Sequence, residues 1–193
     1  MDHKELMAIL LSEQVYDQIK QNETEIFALI PELKVCKGFA QKNSWHIYDV
    51  YEHILHVVAG VEAKRSLRLA ALFHDMGKPL AFTLDEEGVG HFFGHWDHSL
   101  EIFRTYAPMF GLSDAEISLI ASLILYHDMN LDKATDGQID KMIKEIGAQN
   151  MGELFAIKRA DLLAQSQRYH GGLVNIQKQE QSILERFGKA GNG

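Results

Sequence analysis

Residues 67–79, LRLAALFHDMGKP, decide the fold class of this chain. Apolar residues recur in this stretch every three or four positions, as on the buried face of an amphipathic helix, and His74 follows them on the same face. The Gly and Pro residues near its end stop the helix. The stretch therefore predicts a buried helix that leaves His74 and the adjacent Asp75 at the mouth of a cavity.

Three other segments repeat this pattern of an ionisable side chain on an apolar helical face. Burying a lone imidazole or carboxylate costs several kcal/mol unless the group is paired or ligates a metal. Recurrence on separate helices therefore needs one common explanation. The segments place together Val50, His53, Val57 and Val61; Leu119, Leu123 and His127; and Leu154, Ile157, Asp161 and Ala164.

Imidazole nitrogens and carboxylate oxygens are ligands that divalent cations take in proteins. The simplest joint explanation is a metal centre inside a helical bundle. The alternative is a polar core in which the same six residues bond only to one another, which would be costly without a cation. The candidate ligands are His53, His74, Asp75, His95, His127 and Asp161.

Hydrophobic periodicity along the rest of the chain predicts an all-α fold with at most one small β-hairpin around residues 80–93. We expect a single domain over residues 1–187 and a flexible tail at 188–193. Ser113 and Asn150 are the predicted caps of two helices. The predicted helices span residues 4–20, 25–30, 48–61, 66–76, 97–110, 114–126, 136–146, 150–164 and 174–187, and residues 34–45 form a loop.

Composition narrows the cellular setting and the partners. The net charge of −8 disfavours an extended nucleic-acid surface. A single cysteine, Cys36, excludes an intramolecular disulfide and suits a reducing compartment. Neither a secretory signal nor an apolar run of membrane-spanning length is present in the sequence, so we expect a cytoplasmic protein without a membrane partner. The sequence leaves the oligomeric state open and is compatible with a homo-oligomer.

The order of the six candidate ligands, together with Gly-Lys-Pro at residues 77–79, resembles the HD-domain metal-dependent phosphohydrolase superfamily. The resemblance covers residues 45–165 and is closest to the HD modules of bacterial tRNA nucleotidyltransferases and to stand-alone HD phosphohydrolases. The sequence lacks the polymerase signatures of nucleotidyltransferases and the Gly-Tyr-Pro triplet of the cyclic-di-GMP branch. The matching positions are Trp45, His46, Asp49, Val50, Glu52, His53, residues 72–79, Phe93, Gly94, His95 and residues 123–128.

The resemblance implies one or two divalent ions, with Mn, Mg, Ni, Co, Zn and Fe all compatible. His53, His74, Asp75 and Asp161 would hold the first ion, and Asp75 would bridge to a second ion that His95 and His127 also bind. Two ions ~3.5–4 Å apart can clamp a phosphoryl oxygen and lower the pKa of a bridging water, whose hydroxide would be the nucleophile.

The resemblance also implies an enzyme: a phosphohydrolase that cleaves a nucleotide or a small phosphate ester, either a phosphomonoester or a 2′,3′-cyclic phosphate. Its catalytic residues would be Asp75, Lys78 and His46. Lys78 is close enough to the His-Asp pair to reach a phosphate oxygen, and a solvated surface lysine is the alternative. His46 would contact the phosphate or protonate a leaving oxygen, and an exposed loop histidine is the alternative.

Several neighbouring residues have two interpretations. His98 could replace His95 as a ligand, although only His95 fits the resemblance. Lys158 is interpreted as a solvated charge on its helix. An aromatic patch could stack on a base, although packing in the core explains it more simply. The patch consists of Phe92, Phe93 and Trp96.

Two other functions use the same residues. A sensor module would bind metal and nucleotide with little turnover. A di-iron oxygenase would use the same His and Asp ligands for redox chemistry, because the ligand types alone do not decide between the two uses. Lys78 and His46 favour a phosphate substrate.

Overall fold

Helices make up nearly all of the regular structure in the computed structural model, which describes residues 1–190, with side chains for residues 1–186. The predicted all-α fold is confirmed. In chain order the α-helices are α1 (His3–Leu10), α2 (Val15–Gln21), α3 (Glu23–Leu29), α4 (Pro31–Cys36), α5 (Val50–Gly60), α6 (Arg65–Phe73), α7 (Lys78–Ala81), α8 (His95–Tyr106), α9 (Asp114–Tyr126), α10 (Asp136–Ile146), α11 (Met151–Leu163) and α12 (Leu173–Ala190), and the strands are β1 (Thr83–Leu84) and β2 (Gly90–His91). Short 3-10 helices lie at Ala107–Phe110, Ala148–Asn150 and Gln167–Gly172.

Helix α6 lies at the centre of the bundle. It packs against α5, α9 and α11, and its residues from Ser66 to Phe73 are all buried. The buried Arg68 donates to the main-chain oxygens of Val58, at 2.6 Å, and Glu62, at 3.1 Å. A helix leaves its last carbonyl oxygens without intrahelical partners. Arg68 therefore donates hydrogen bonds to carbonyl oxygens at and just after the end of α5, and these bonds link α6 to α5.

The amino-terminal segment differs from its prediction. The helix expected over residues 4–20 is two helices, α1 and α2, and its break lies between Leu10 and Val15. A straight helix with Leu10 on its buried face would next bury Glu13 and Asp17, which are polar. The break instead returns Val15 and Ile19 to the core. The predicted loop over residues 34–45 is also shorter, because α4 continues to Cys36.

Cap chemistry explains two helix boundaries. Ser113 and Glu116 form a capping box, and α9 begins and ends at the predicted residues. Helix α10 also has its predicted bounds and begins after a capping box at Thr135. Asn150 lies at the predicted N-cap position of α11, but it makes no capping bond, because its side-chain amide donates 2.9 Å back to the main-chain oxygen of Ile146.

The small hairpin predicted within residues 80–93 is present. Strands β1 and β2 are antiparallel, with Thr83 opposite His91. The main-chain N–H of Gly90 donates 2.8 Å to the oxygen of Lys42, which joins the hairpin to the loop before α5. A Cβ atom at Gly90 would lie 2.3 Å from the Gln41 oxygen, so only glycine permits this close approach.

The carboxyl-terminal helix α12 packs against α11. It continues to Ala190, so part of the predicted tail at 188–193 is helical, and residues 191–193 lie outside the described residues. Within the described part of the chain, none of the helices has both the length and the apolar character needed to cross a bilayer.

Candidate metal centre

The six predicted ligands come together at one end of the central helices. His53 lies within α5, and Asp161 lies in the last turn of α11. His74 and Asp75 directly follow α6, His127 directly follows α9, and His95 is the first residue of α8. Five of the six side chains are buried, and Asp161 is partly buried. We call these six residues the metal centre.

Asp75 occupies the middle of the metal centre and directs its two oxygens to different partners. Its Oδ2 lies 3.2 Å from Nε2 of His53 and 3.2 Å from Nε2 of His74. Its Oδ1 lies 3.1 Å from Nε2 of His95 and 3.6 Å from Nε2 of His127. The ligand atoms within each set of three residues lie within 4.8 Å of one another. Two sets therefore share Asp75, as a bridging ligand requires.

Asp161 joins the first of these sets through His53. Its Oδ1 lies 3.0 Å from His53 Nε2, and the Gln165 side-chain amide is 3.5 Å from the same oxygen. The structure thus brings Asp161 to the side of the metal centre that contains His53 and His74, where the ligand prediction places it.

Three of the histidines are oriented in the same way. Nδ1 of His74, His95 and His127 lies 2.7 to 2.8 Å from the main-chain oxygen three residues earlier. A carbonyl oxygen can only accept, so each Nδ1–H donates, and in the neutral imidazole each Nε2 directs a lone pair at Asp75. Such a bond fixes the tautomer and the ring orientation of a metal-binding histidine.

Facing lone pairs provide a test of whether these residues fit a cation. Nε2 of His95 and Nε2 of His127 are 3.2 Å apart and share the side of Asp75 Oδ1. Their two lone pairs and a carboxylate oxygen repel one another unless a positive charge lies between them. Oδ1 of Asp75 and Nε2 of His74 are buried without a hydrogen-bond partner, as is Nδ1 of His53. The residues fit one or two divalent ions.

Burial and neighbouring charges shift the pKa values of residues in the metal centre in different directions. Although burial raises the pKa of Asp75, the neighbouring His74 and the Lys78 ammonium hold it well below its usual range. Burial lowers the pKa of His74, which favours the neutral imidazole that ligates metals. Burial alone would also lower the pKa of His53, but hydrogen bonding to Asp161 and Asp75 raises it overall.

Lys78 is a buried lysine, so its interpretation as a solvated surface charge is wrong. Its Nζ lies 2.6 Å from Asp75 Oδ2 and 2.9 Å from the side-chain oxygen of Gln41. The same nitrogen lies 5.3 Å from the centre of the Phe92 ring. These contacts hold the ammonium group beside the Asp75 carboxylate.

His46 is half-buried rather than exposed. Burial lowers the pKa of His46 to about 3, so the ring is neutral at physiological pH. Its Nδ1 lies 2.8 Å from the side-chain oxygen of Asn43 and donates to it, which leaves the Nε2 lone pair 3.4 Å from Nζ of Lys78. In this arrangement Nε2 of His46 accepts a hydrogen bond from the Lys78 ammonium group.

A cleft of about 390 Å³ opens onto the metal centre. Its inner part contains Asp75, Lys78, His95 and His127, and its lining also includes Asp128 and Gln165. Aromatic residues from two parts of the chain, Trp45 and the segment from Phe92 to Trp96, line it as well. We call this space the cleft.

The two alternative ligands on α8 have different contacts: His95 contacts Asp75, whereas Cβ of His98 faces the backbone of Gly77. The structure also assigns a contact that the sequence interpretation missed. Lys158 is not a solvated charge, because its Nζ lies 2.8 Å from the main-chain oxygens of both His127 and Met129. A main-chain acceptor has no sequence signature, so no pattern could have indicated this contact.

The sequence of this chain is similar to those of known proteins. The HD domain family matches residues 46–177. A CC-adding tRNA nucleotidyltransferase of Thermus thermophilus is 35% identical over 104 residues, which cover 51% of this chain and 24% of the relative. An A-adding tRNA nucleotidyltransferase of Deinococcus radiodurans is 30% identical over 120 residues, which cover 59% of this chain and 27% of the relative.

A third relative has a different name. A bifunctional uridylyltransferase/uridylyl-removing enzyme of Gluconobacter oxydans is 26% identical over 142 residues, which cover 62% of this chain and 14% of the relative. The chain thus spans about a quarter or less of the length of these three curated relatives.

Proposed function

Because the chain belongs to the HD domain family, we propose that it is a metal-dependent phosphohydrolase that cleaves a nucleotide or another small phosphate ester. The position of Asp75 is the observation that carries this proposal. One carboxylate oxygen faces His53 and His74, and the other faces His95 and His127. A shared carboxylate of this kind is what a pair of ions acting on one phosphoryl group needs.

The first ion would be held by His53, His74, Asp75 and Asp161, and the second by Asp75, His95 and His127. When bound, such ions supply positive charge to phosphoryl oxygens and lower the pKa of a coordinated water toward neutrality. Phosphoryl transfer needs chiefly positioning and charge stabilisation, which the surrounding residues also provide.

Lys78 contributes a fixed positive charge to the proposed reaction. Its ammonium group is buried at the inner part of the cleft, held by Asp75 and Gln41. A buried charge interacts more strongly with a phosphate than a solvated one does. His46 accepts from Lys78 through Nε2 and so keeps the ammonium group directed into the cleft. In this role His46 is a positioning residue rather than the acid.

The substrate that we propose is a small nucleotide, as a phosphomonoester or a 2′,3′-cyclic phosphate. The volume of the cleft, about 390 Å³, falls in the range of roughly 300–1,000 Å³ that is usual for small-molecule sites. The relatives are named for nucleotidyl or uridylyl groups, and one is named for uridylyl removal. The net charge of −8 favours a small nucleotide over an extended nucleic acid.

Phosphate release tests the proposal. Protein purified without chelator is supplied in turn with Mn²⁺, Co²⁺, Ni²⁺ and Mg²⁺, and incubated with mononucleotides, 2′,3′-cyclic nucleotides and phosphate esters without a base. We expect hydrolysis that Asp75→Asn abolishes. Asp114→Asn is the control, because it changes an exposed carboxylate at the start of α9.

Three outcomes would contradict the proposal. Full activity of Asp75→Asn would remove the bridging carboxylate from the reaction. Tight binding of metal and nucleotide without hydrolysis of any ester would indicate a sensor module. Two bound irons with oxygen-dependent turnover would indicate an oxygenase.

A further inference from the structure

Phe93 is an exposed aromatic residue beside a buried polar centre. Its side chain is 79% exposed, the largest fraction among the exposed large hydrophobic residues that the structure describes. Packing in the core, the simpler interpretation of this residue, is therefore wrong for Phe93. Phe93 also lines the cleft, and aromatic side chains beside a few convergent polar groups are typical of small-molecule sites.

The Phe93 ring is held in place by its neighbours. It stacks on the His91 ring, with centroids 5.5 Å apart and planes 8° from parallel. His91 in turn pairs with Asp85 in the hairpin, with Nε2 2.8 Å from Oδ2. Phe93 is thus a fixed aromatic surface between β2 and α8, and most of it remains open to solvent.

Trp45 is a second exposed aromatic residue of the same cleft. Its side chain is 44% exposed, and it belongs to the loop before α5. Its main-chain oxygen accepts from the N–H of Ser166 at 2.8 Å, and its ring lies 6.3 Å from that of Tyr169. Contacts with the segment after α11 therefore hold Trp45 at the cleft.

We propose that Phe93 and Trp45 stack on the base of a nucleotide whose phosphate lies at the metal centre. This inference rests on the proposed function and narrows its substrate to phosphate esters that carry a base. The cleft has a buried, charged inner part at Asp75 and Lys78 and exposed aromatic residues around it. A nucleotide has the same two ends, a charged phosphate and an apolar base.

The chemistry of the cleft favours one nucleotide over a strand of nucleic acid. Of the described residues that line it, Lys78 alone is a lysine or arginine, and it is buried beside Asp75. A strand needs a row of positive charges along its backbone. Stacking also accepts any base, because every base has a π-face. We therefore expect several nucleotides to bind, and purines to bind more tightly than pyrimidines.

Binding experiments test the inference without any need for turnover. The ligands are the methylene phosphonate analogue of AMP, which resists hydrolysis, and ribose 5-phosphate, which lacks a base. With Mn²⁺ present, we expect the analogue to bind about tenfold or more tightly than ribose 5-phosphate in calorimetry. Both tryptophans, Trp45 and Trp96, line the cleft, so the analogue should also quench the intrinsic fluorescence.

Single substitutions locate the base. Phe93→Ala and Trp45→Ala should each weaken binding of the AMP analogue about tenfold and leave ribose 5-phosphate unchanged. Phe93→Tyr should keep the affinity, because it keeps the ring. Met109→Ala is the matched control, since Met109 is an exposed apolar residue, at 54%, that does not line the cleft.

The results separate this inference from the proposed function. Equal affinity for the two ligands, or full affinity of both alanine variants, would overturn the stacking role even if the protein hydrolyses phosphate esters. Base-dependent binding that both variants weaken would support stacking even if nothing is hydrolysed. Tighter binding of a single-stranded RNA oligonucleotide than of the AMP analogue would overturn the assignment to a single nucleotide.

Discussion

Lys158 holds the main-chain oxygen of His127, with Nζ 2.8 Å from that atom and 2.8 Å from the oxygen of Met129. Both carbonyls lie just beyond the end of α9, where a helix has unpaired acceptors and a partial negative charge. The ammonium group thus fixes the backbone segment that positions one predicted ligand of the second ion.

Substitution of Lys158 tests this positioning role. Lys158→Met should lower the free energy of unfolding by about 2 kcal/mol, because it removes charged hydrogen bonds to two carbonyls. It should also weaken binding of the second ion and leave the first unchanged, as titration with Mn²⁺ would show. Arg159→Met is the control, because Arg159 pairs with Glu180 instead and its side chain is 38% exposed. Unchanged affinity for the second ion in Lys158→Met would contradict the role.

Loss of a ligand from one of the two residue sets that share Asp75 should remove one bound ion and leave the other. His95→Ala should reduce the bound metal from two ions to one, because it removes a ligand of the second set only. Elemental analysis of protein dialysed against metal-free buffer measures the ratio. His98→Ala is the control, since this histidine lies one helical turn away and does not contact Asp75. Loss of both ions from His95→Ala would contradict two separate sets.

The pH dependence of stability should depend on Glu52, at the start of α5. Its carboxylate accepts from the Tyr16 hydroxyl at 2.7 Å and lies 2.5 Å from Nζ of Lys20. Although burial raises the pKa of Glu52, Lys20 and Tyr16 lower it overall from its usual 4.5. A lowered folded-state pKa contributes stability above the unfolded value, which is lost as the pH falls through the folded value.

Glu52→Gln should therefore cost about 1 kcal/mol of unfolding free energy at neutral pH. The cost should shrink as the pH falls below 4.5, because protonation then removes the same charge from the wild-type protein. Urea denaturation of both proteins over a series of pH values measures the difference. Glu13→Gln, at an exposed glutamate, should show the same small effect at every pH. A cost for Glu52→Gln that does not change with pH would refute the assignment.

The sequence was most informative where local signals agreed with packing. Helix α9 has its predicted bounds because a Ser113–Glu116 capping box precedes an apolar stripe that the bundle buries. The candidate ligands were recognisable because ionisable residues interrupt such stripes. The prediction failed over residues 4–20, where a periodic pattern changes phase between Leu10 and Val15. Periodicity within a window does not show whether a phase change is a break or a bend.

The surroundings of the metal centre could not be predicted, since they depend on contacts between distant segments. Lys158 meets main-chain oxygens 31 and 29 residues earlier, and Lys78 meets Gln41 from another part of the chain. Such features appear only when the helices are assembled.

Gly77, which was predicted to stop a helix, is also constrained by the packing of α7 against α8. Its φ of −78° is available to any residue, so a left-handed conformation is not what requires glycine here. A Cβ atom at this position would lie 2.3 Å from the main-chain oxygen of His95 and 2.6 Å from the main-chain nitrogen of Ser99. Glycine therefore lets the start of α7 contact the first turn of α8.

Gly77→Ala should move α8 away from Asp75 and take the His95 ligand with it. We expect the free energy of unfolding to fall by about 1–3 kcal/mol, as overpacking typically costs, and the second ion to bind more weakly than the first. Gly152→Ala is the matched control, because a Cβ atom in this helical position meets nothing within 4 Å. Denaturation and Mn²⁺ titration of both variants measure the effects. If Gly77→Ala binds both ions as the wild type does, the contact between α7 and α8 does not position His95, and the ligand must be fixed by its own bond to the Phe92 oxygen.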